Sequence, residues 1–183
     1  MSNPVYIVDI MRDVVAATST VLLTQLQTKD SLITAVHYDY GHYTDIRERL
    51  VAKDKSGKPD EKYPRIVLFE DHRIKHGQEG LTGIADLKLL ILHPSKNTVT
   101  RQWREDNVFR PILYPIYFEF LKQLKLSGKF QIYDVTKIQH DQINRPHWGD
   151  PGLYKNEGYL LGDILDGIEI ANLNLLTYLD NCL

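Results

Sequence analysis

The alternation of apolar and polar positions divides the chain into helical and extended stretches. From Pro4 to Gln27, Val5, Val8, Val15, Leu22 and Leu26 recur at helical spacing, and Ile7, Met11 and Val14 widen the stripe. Asn3 reads as the N-cap and Pro4 as the first helical residue, where a missing N–H costs nothing. The small-sided run from Ala16 to Thr20 permits close approach of a second element. After a break at Lys29–Ser31, the pattern predicts a strand over Ile33 to Tyr40, with Val36, Tyr38 and Tyr40 on one face. Gly41 and His42 turn the chain into a short helix, Asp45 to Lys53, whose apolar side is Ile46, Leu50 and Val51. The charged stretch from Lys53 to Lys62, with Gly57 and Pro59 inside it, predicts an exposed, mobile loop.

Tyr63 to Glu70 predicts the next strand, with Pro64 among its first residues, since proline cannot donate to a central ladder. Residues 72–82 are polar and glycine-containing and predict a mobile loop or wide hairpin. Gly83 to His93 then returns as the antiparallel partner: Ala85, Leu87, Leu89 and Ile91 form its apolar face, and Leu90 and Leu92 imply cover on the other face too. A polar connector, Pro94 to Asp106, leads into the most apolar and aromatic run of the chain, from Asn107 to Leu126. Pro111 and Pro115 lie four apart in it, and a proline inside a helix costs about 3 kcal/mol or more. The expectation is a turn near Val108–Arg110 and a helix to Leu126 that starts or kinks at Tyr114–Pro115. Its apolar residues run almost around the circumference, which implies burial on most sides and hints at a protein–protein contact.

Gly128 is placed to cap that helix in the left-handed conformation. Phe130, Ile132, Val135 and Ile138 predict a strand whose phase slips once. Residues 142–158 predict a long mobile loop with an aromatic centre, Ile164 to Leu175 the last strand, and Thr177 to Leu183 a short tail. Together these elements predict one α+β domain over residues 1–183. It has a single mixed, largely antiparallel sheet, with the N-terminal helix and the long central helix packed on it.

Composition narrows this picture without specialising it. The 183 residues suffice to bury a core without staples, and the net charge of −2 gives no general pull towards nucleic acid. No basic stripe of the kind a DNA-groove protein carries is visible, so no specific nucleic-acid partner is expected. Cys182 is the only cysteine, which excludes an intrachain disulfide and fits a reducing compartment. The first ten residues lack a basic n-region, and no apolar run approaches the ~20 residues a bilayer crossing needs, so a soluble cytoplasmic chain without a membrane partner is expected.

Candidate chemistry is sparse. Glu70-Asp71, followed on the next strand by Asp86-Leu87-Lys88, resembles the acid…acid-x-Lys pattern of restriction-type nucleases. There Asp71 and Asp86 would hold a divalent metal and Lys88 would steady the attacking water. The same triple arises wherever a strand has one solvated face, which is its commoner origin. Among the histidines (His37, His42, His72, His76, His93, His140 and His147), His72 and His76 have the four-residue spacing of a metal pair, but no carboxylate stands between them. Cys182 has no local histidine to activate it. No G-x-S-x-G, P-loop or dinucleotide glycine pattern occurs, so neither a catalytic set nor a cofactor or metal site is assigned. Arg101, Trp103, Arg104, Arg145 and Trp148 read as contact residues, because exposed Trp and Arg are enriched at interface hot spots. The alternative is that the tryptophans plug the edges of the core and the arginines are solvated.

Several short motifs carry a further resemblance: Tyr40-Gly41-His42; Lys62-Tyr63-Pro64 with the apolar strand to Phe69; Val108-Phe109-x-Pro111-x-Leu113-Tyr114-Pro115-Ile116-Tyr117; His147-Trp148-Gly149; and Asp166-Gly167-Ile168-Glu169-Ile170-x-Asn172-Leu173. Over roughly Gly41 to Leu175 the chain resembles small head–tail connection proteins of Bacteroidetes-type tailed phages and prophages, themselves similar to tail terminators. The resemblance implies a mixed α/β structural subunit without enzymatic activity. It would form a ring with copies of itself, of six-fold symmetry, capping the tail tube and docking it to neck and connector proteins. The implied location is the virion, with assembly in the host cytoplasm. A head-completion adaptor or stopper of the neck is the neighbouring alternative, and the metal-dependent nuclease is the alternative of another class.

Overall fold

In the computed structural model, residues 6–71, 73–76, 81–96, 98–148, 161 and 163–178 are described. Helix α1 spans Ile7–Gln27 and buries Ile7, Ile10, Met11, Val14, Val15, Leu22 and Leu26 along one stripe. Thr18 joins that stripe because its hydroxyl donates to the Val14 carbonyl at 2.8 Å, which removes the cost of burying it. Strand β1 is His37–Gly41, later than the pattern predicts. Ile33 and Val36 are buried as expected, but the Val36 N–H donates to Ser19 Oγ on α1, so the ladder begins one residue on.

Helix α2 spans Tyr43–Lys55 and is capped by His42, whose Nδ1 accepts from the Thr44 N–H. The loop expected over Lys53 to Lys62 is instead the end of this helix and a 3₁₀ turn at Pro59–Glu61. Its charges meet one another: Glu61 takes Lys53 at 3.1 Å and Lys58 at 2.9 Å, and a buried Lys62 reaches Asp54 at 2.9 Å. Arg65, also buried, donates to the carbonyls of Lys62, Glu61 and Tyr38 and to Asp39, which pins the turn to β1. A run of mixed sign looks solvated in one dimension because its partners lie eight residues away, or as far off as Asp163 for Lys62, and meet only when the chain folds back.

Strands β2 (Arg65–Phe69), β3 (Arg73–His76), β4 (Leu81–Pro94), β5 (Asp141–Trp148) and β6 (Leu165–Tyr178) complete a six-stranded sheet of order β1-β2-β4-β6-β5, with β3 beside the first half of β4. Among the described residues only β1 and β2 pair in parallel, and the other pairings are antiparallel. The architecture is α+β, a single mixed sheet with helices packed on it. Residues 73–76 belong to a strand rather than to the expected 72–82 loop, and the 14-residue β4 pairs with β6 along its whole length. Halfway along, the register of that ladder shifts, and Asp86 and Asn172 take positive φ of 60° and 53° on the two adjacent strands. Paired irregularities of this kind bend a ladder locally.

The central helical run is one continuous rod and not a turn followed by a helix. Helix α3 (Arg101–Arg104) passes into a π-helical segment (Glu105–Leu113) and then into α4 (Tyr114–Leu126). The Tyr114 N–H bonds to the carbonyl of Phe109, five residues back. Widening the turn relieves the clash that Pro111 and Pro115 would make with carbonyls four residues back, so the proline pair selects a π segment instead of ending the helix. Gly128, at φ 64° with nothing near its missing side chain, follows the helix end as expected.

Two further expectations fail. The strand predicted from Phe130 to Ile138 is irregular chain with a 3₁₀ turn at Val135–Lys137, because Asp134 bonds the Thr136 N–H and locks a turn there. The segment still lies beside β6, through Gln131 N–H to the Leu176 carbonyl and Asn174 N–H to the Gln139 carbonyl. Conversely, residues 142–148 of the loop expected over 142–158 belong to strand β5, and residues 149–158 lie outside the described residues. Strand β5 is an edge strand exposed along most of its length, and so lacks the apolar alternation that reveals a strand.

The sheet is covered on both faces. Ile66, Leu68, Leu89, Ile91, Ile168 and Ile170 face α1, the π segment and α4 in the larger core. Val67, Leu90, Leu92 and Leu165 face Ile46 and Leu50 of α2 in a smaller one. That second cluster accounts for the apolar residues on the second face of β4.

Candidate functional site

The smaller face sets up a polar concavity. Every second residue of β4 points to this face, so Leu92 and Leu90 sit under α2 and Lys88 lies beyond its edge; Leu165 and Glu169 repeat the arrangement on β6. Where α2 no longer covers the sheet, a cleft of about 510 Å³ opens. Its walls come from His42 and Tyr43 at the start of α2, Phe69 to Asp71 at the end of β2, and Asn144 to Trp148 on β5.

Glu169 forms its floor. The carboxylate is nearly inaccessible, with Arg145 Nε at 2.7 Å on one oxygen and Lys88 Nζ at 3.2 Å on the other. Burial pushes its pKa up, but hydrogen bonds from Arg145 and Lys88, together with their charges, more than offset this and hold the carboxyl below its usual value. Lys88 also lies 5.6 Å above the Phe69 ring centroid, so its cation is held by a carboxylate and an aromatic face together.

A second network backs the cleft. Asp166, fully buried, accepts from Arg104 Nη1 at 2.5 Å, Ser95 Oγ at 2.6 Å and the His147 N–H at 3.0 Å. The last bond holds His147 at φ 53°, where the β5–β6 register shifts between Arg145 and Trp148. Arg104 extends to the Lys96 carbonyl, so the network ties α3, the β4–α3 connection, β5 and β6 together.

The expected site residues therefore separate. Asp71 and Lys88 line the cleft, whereas Asp86, at the bulge of β4 with φ 60°, is not among its lining residues. Among the described residues, no group of three or more His, Cys, Asp or Glu is arranged to hold a metal. Arg104 is not a surface contact: its guanidinium is buried against Asp166. Arg101 is exposed, and Trp103 is half-buried beneath Lys96, 5.7 Å from its ring centroid. Arg145 and Trp148 both line the cleft, Trp148 packing also against the core under α2.

His42 caps α2, His140 bonds the Tyr117 hydroxyl, and His93 is buried. His72, Cys182, Asn3 and Pro4 lie outside the described residues, as does the side chain of His76. Asp166 and Glu169 carry both networks, and their one sequence signal was an acidic pair three apart within the apolar first half of a strand.

No protein-family pattern matches the chain, and no curated protein is recognisably similar to it.

Proposed function

We propose that the chain is a structural subunit that acts by self-association, forming a ring that terminates the tail tube of a tailed phage and joins it to the neck. The observation that carries this reading is the exposure of bulky apolar side chains: Leu32, Phe118, Leu126 and Tyr133 are 74%, 61%, 62% and 88% exposed, the second and third of them on α4. Exposed aromatic and aliphatic groups of this kind are what subunit contacts consume. Two further features support it. The single mixed sheet with packed helices is the architecture that the phage resemblance implies. The charged residues that line or back the cleft, Lys88, Arg145, Glu169 and Asp166, are held in ion pairs with one another or with Arg104.

In this reading the partners are further copies of the chain, the tail tube protein and neck proteins, and its place is the virion after assembly in the host cytoplasm. Among the described residues no helix is long and apolar enough to cross a membrane. Light scattering and negative-stain imaging of the full chain test the proposal: closed rings are expected, and a strictly monomeric particle at high concentration refutes it. Its level in an assembled virion separates a terminator from an adaptor or stopper.

A second reading rests on Asp71 and Lys88 sharing one cleft with Glu70 and Glu169. It makes the chain a metal-dependent nuclease, and requires DNA cleavage that appears with Mg²⁺ or Mn²⁺ and disappears in Asp71→Ala and Lys88→Ala. Absence of any metal-dependent cleavage by the wild-type chain sinks it.

A further inference from the structure

The two edges of the sheet are finished differently. At the β1 edge the backbone is already engaged: the Val36 N–H donates to Ser19 Oγ on α1, and the Tyr38 and Tyr40 carbonyls accept from Arg65 and Arg49. At the other edge no strand lies beyond β5 among the described residues. Asp141, Gln142, Asn144, Arg145 and Pro146 are exposed there, and Ile143 is half-buried. An unpaired strand edge is a template for another strand. Pro146, which has no N–H, and the register shift between Arg145 and Trp148 spoil the second half of this edge and leave residues 141–145 open.

The open stretch is complementary to itself. Two copies related by a two-fold axis normal to the sheet pair antiparallel, and residues that point to the same face stand opposite one another. With Ile143 opposite Ile143, Asp141 of each copy faces Arg145 of the other, and Gln142 faces Asn144. Moving the axis by one residue either way sets Asp141 opposite His147 or Ile143 and loses both charge pairs. Opposite charges directly across a strand pair stabilise it. The neighbouring charges favour the same match. Arg145 and Lys88 share Glu169, which leaves that trio with one net positive charge, and Asp141 of the second copy answers it. Asp141 itself is held only by Asn172 Nδ2, on Oδ2 at 2.6 Å. His140 bonds the Tyr117 hydroxyl, and His147 lies against Arg104. Glu70 and Asp71 stand three strands away at the end of β2, roughly 14 Å at ~4.8 Å per strand.

An apolar group flanks the edge on the other face. Asn144 Nδ2 donates to the Tyr114 hydroxyl at 2.7 Å, and the Phe118 ring, 61% exposed, lies 6.5 Å from the Tyr114 ring and 5.1 Å from that of Tyr117, centroid to centroid. The charged groups around it are paired within their own helical run, Lys122 with Glu119 and Arg110 with Glu105 and Asp106. We propose that two copies of the chain join β5 to β5, antiparallel about Ile143, into one sheet that runs through both subunits. Main-chain hydrogen bonds, the two Asp141–Arg145 pairs and the covering of Ile143 and Phe118 hold it. The proposal rests on the self-association reading for its partner, a second copy. It goes beyond that reading in its geometry, because a two-fold contact is complete at two copies and a ring needs a further surface.

Sedimentation equilibrium and oxidative cross-linking of the full chain test it. In a Cys182→Ser background, Ile143→Cys should cross-link to its own second copy, since directly opposed residues bring their Cβ atoms to about 4.5–5.5 Å. Asp141→Lys and Arg145→Glu, each with an unchanged circular dichroism spectrum, should each raise the dimer dissociation constant at least ~10-fold, because like charges then stand opposite twice per dimer. Their equimolar mixture restores opposite charges at both places and should return to within about 3-fold of the wild type. If the wild type associates, both variants match it and Ile143→Cys stays uncross-linked, the β5 contact is wrong and self-association stands on another surface. A mixture no tighter than its parts overturns the register. A wild type that stops at two copies, with Ile143→Cys cross-linked, upholds the contact and removes the ring. A wild type monomeric at every concentration overturns both the contact and the reading beneath it.

Discussion

Asp166→Ala is the sharpest probe of what holds the sheet, α3 and β5 together. The Asp166 carboxylate is 0% exposed and the Arg104 side chain 3% exposed, so solvent screens neither charge. Truncating the aspartate leaves a buried guanidinium without its counter-charge and strips the Ser95 hydroxyl and the His147 N–H of their acceptor. Breaking one side of a buried pair typically costs 3–5 kcal/mol, because the surviving charge remains desolvated. Total stability of a domain this size is about 5–15 kcal/mol, so the variant should lose a large fraction of it. Urea unfolding followed by circular dichroism reads the loss as a lower midpoint at constant slope. Replacing both partners, Arg104→Met with Asp166→Leu, should recover much of it, since two apolar groups carry no desolvation penalty. A loss below about 1 kcal/mol for Asp166→Ala would show that the pair behaves like a surface ion pair and would refute the buried-network account.

Other measurements reach the rest of the molecule. Burial, only partly opposed by Asp30 and Asp166, lowers the His93 pKa from 6.5 to about 4. Above pH 6.5 both folded and unfolded states are neutral at this residue; as pH falls towards 4 the unfolded state binds a proton that the folded state does not. Stability on the order of 3 kcal/mol is then lost across that window, and His93→Gln should flatten this limb of the pH–stability curve. His37 shifts in the same direction and leaves a residual slope. Glu169→Gln removes the charge that holds Arg145 and Lys88, and hydrogen exchange should accelerate selectively in β5; unchanged protection there would show that backbone pairing alone retains the edge strand. In Gly167→Ala the added carbon would meet the Ile91 carbonyl and Leu92 Cδ2 at 3.0 Å, so a loss of about 1–3 kcal/mol is expected in thermal unfolding, and a neutral outcome would mean that β4 and β6 can separate there.

Cores were more legible in the chain than polar contacts. The stripe of α1, the apolar run of β2, the alternation of β4 and the Gly128 cap all follow from hydrophobic pattern and from backbone freedom. The proline pair in the central helix was visible, but its consequence was not. Proline forbids an ordinary helical turn, and whether the chain breaks or widens depends on whether Phe109, Ile112 and Leu113 find a core to hold them. Strand β5 escaped notice because an exposed edge needs no apolar pattern; it is held by backbone pairing to β6 and by Arg145 reaching Glu169.

Residue type and spacing by themselves determined that this is an α+β chain with a large core. They determined which positions fill that core, because burying apolar surface is non-directional and leaves its period in the sequence. Only the tertiary structure decided which charges are internal. Arg104 read as a contact residue and became the partner of Asp166, and Lys88 read as one of a catalytic triple and became the partner of Glu169. Ion pairs depend on the meeting of two short-range groups from distant parts of the chain, and no periodicity records such a meeting.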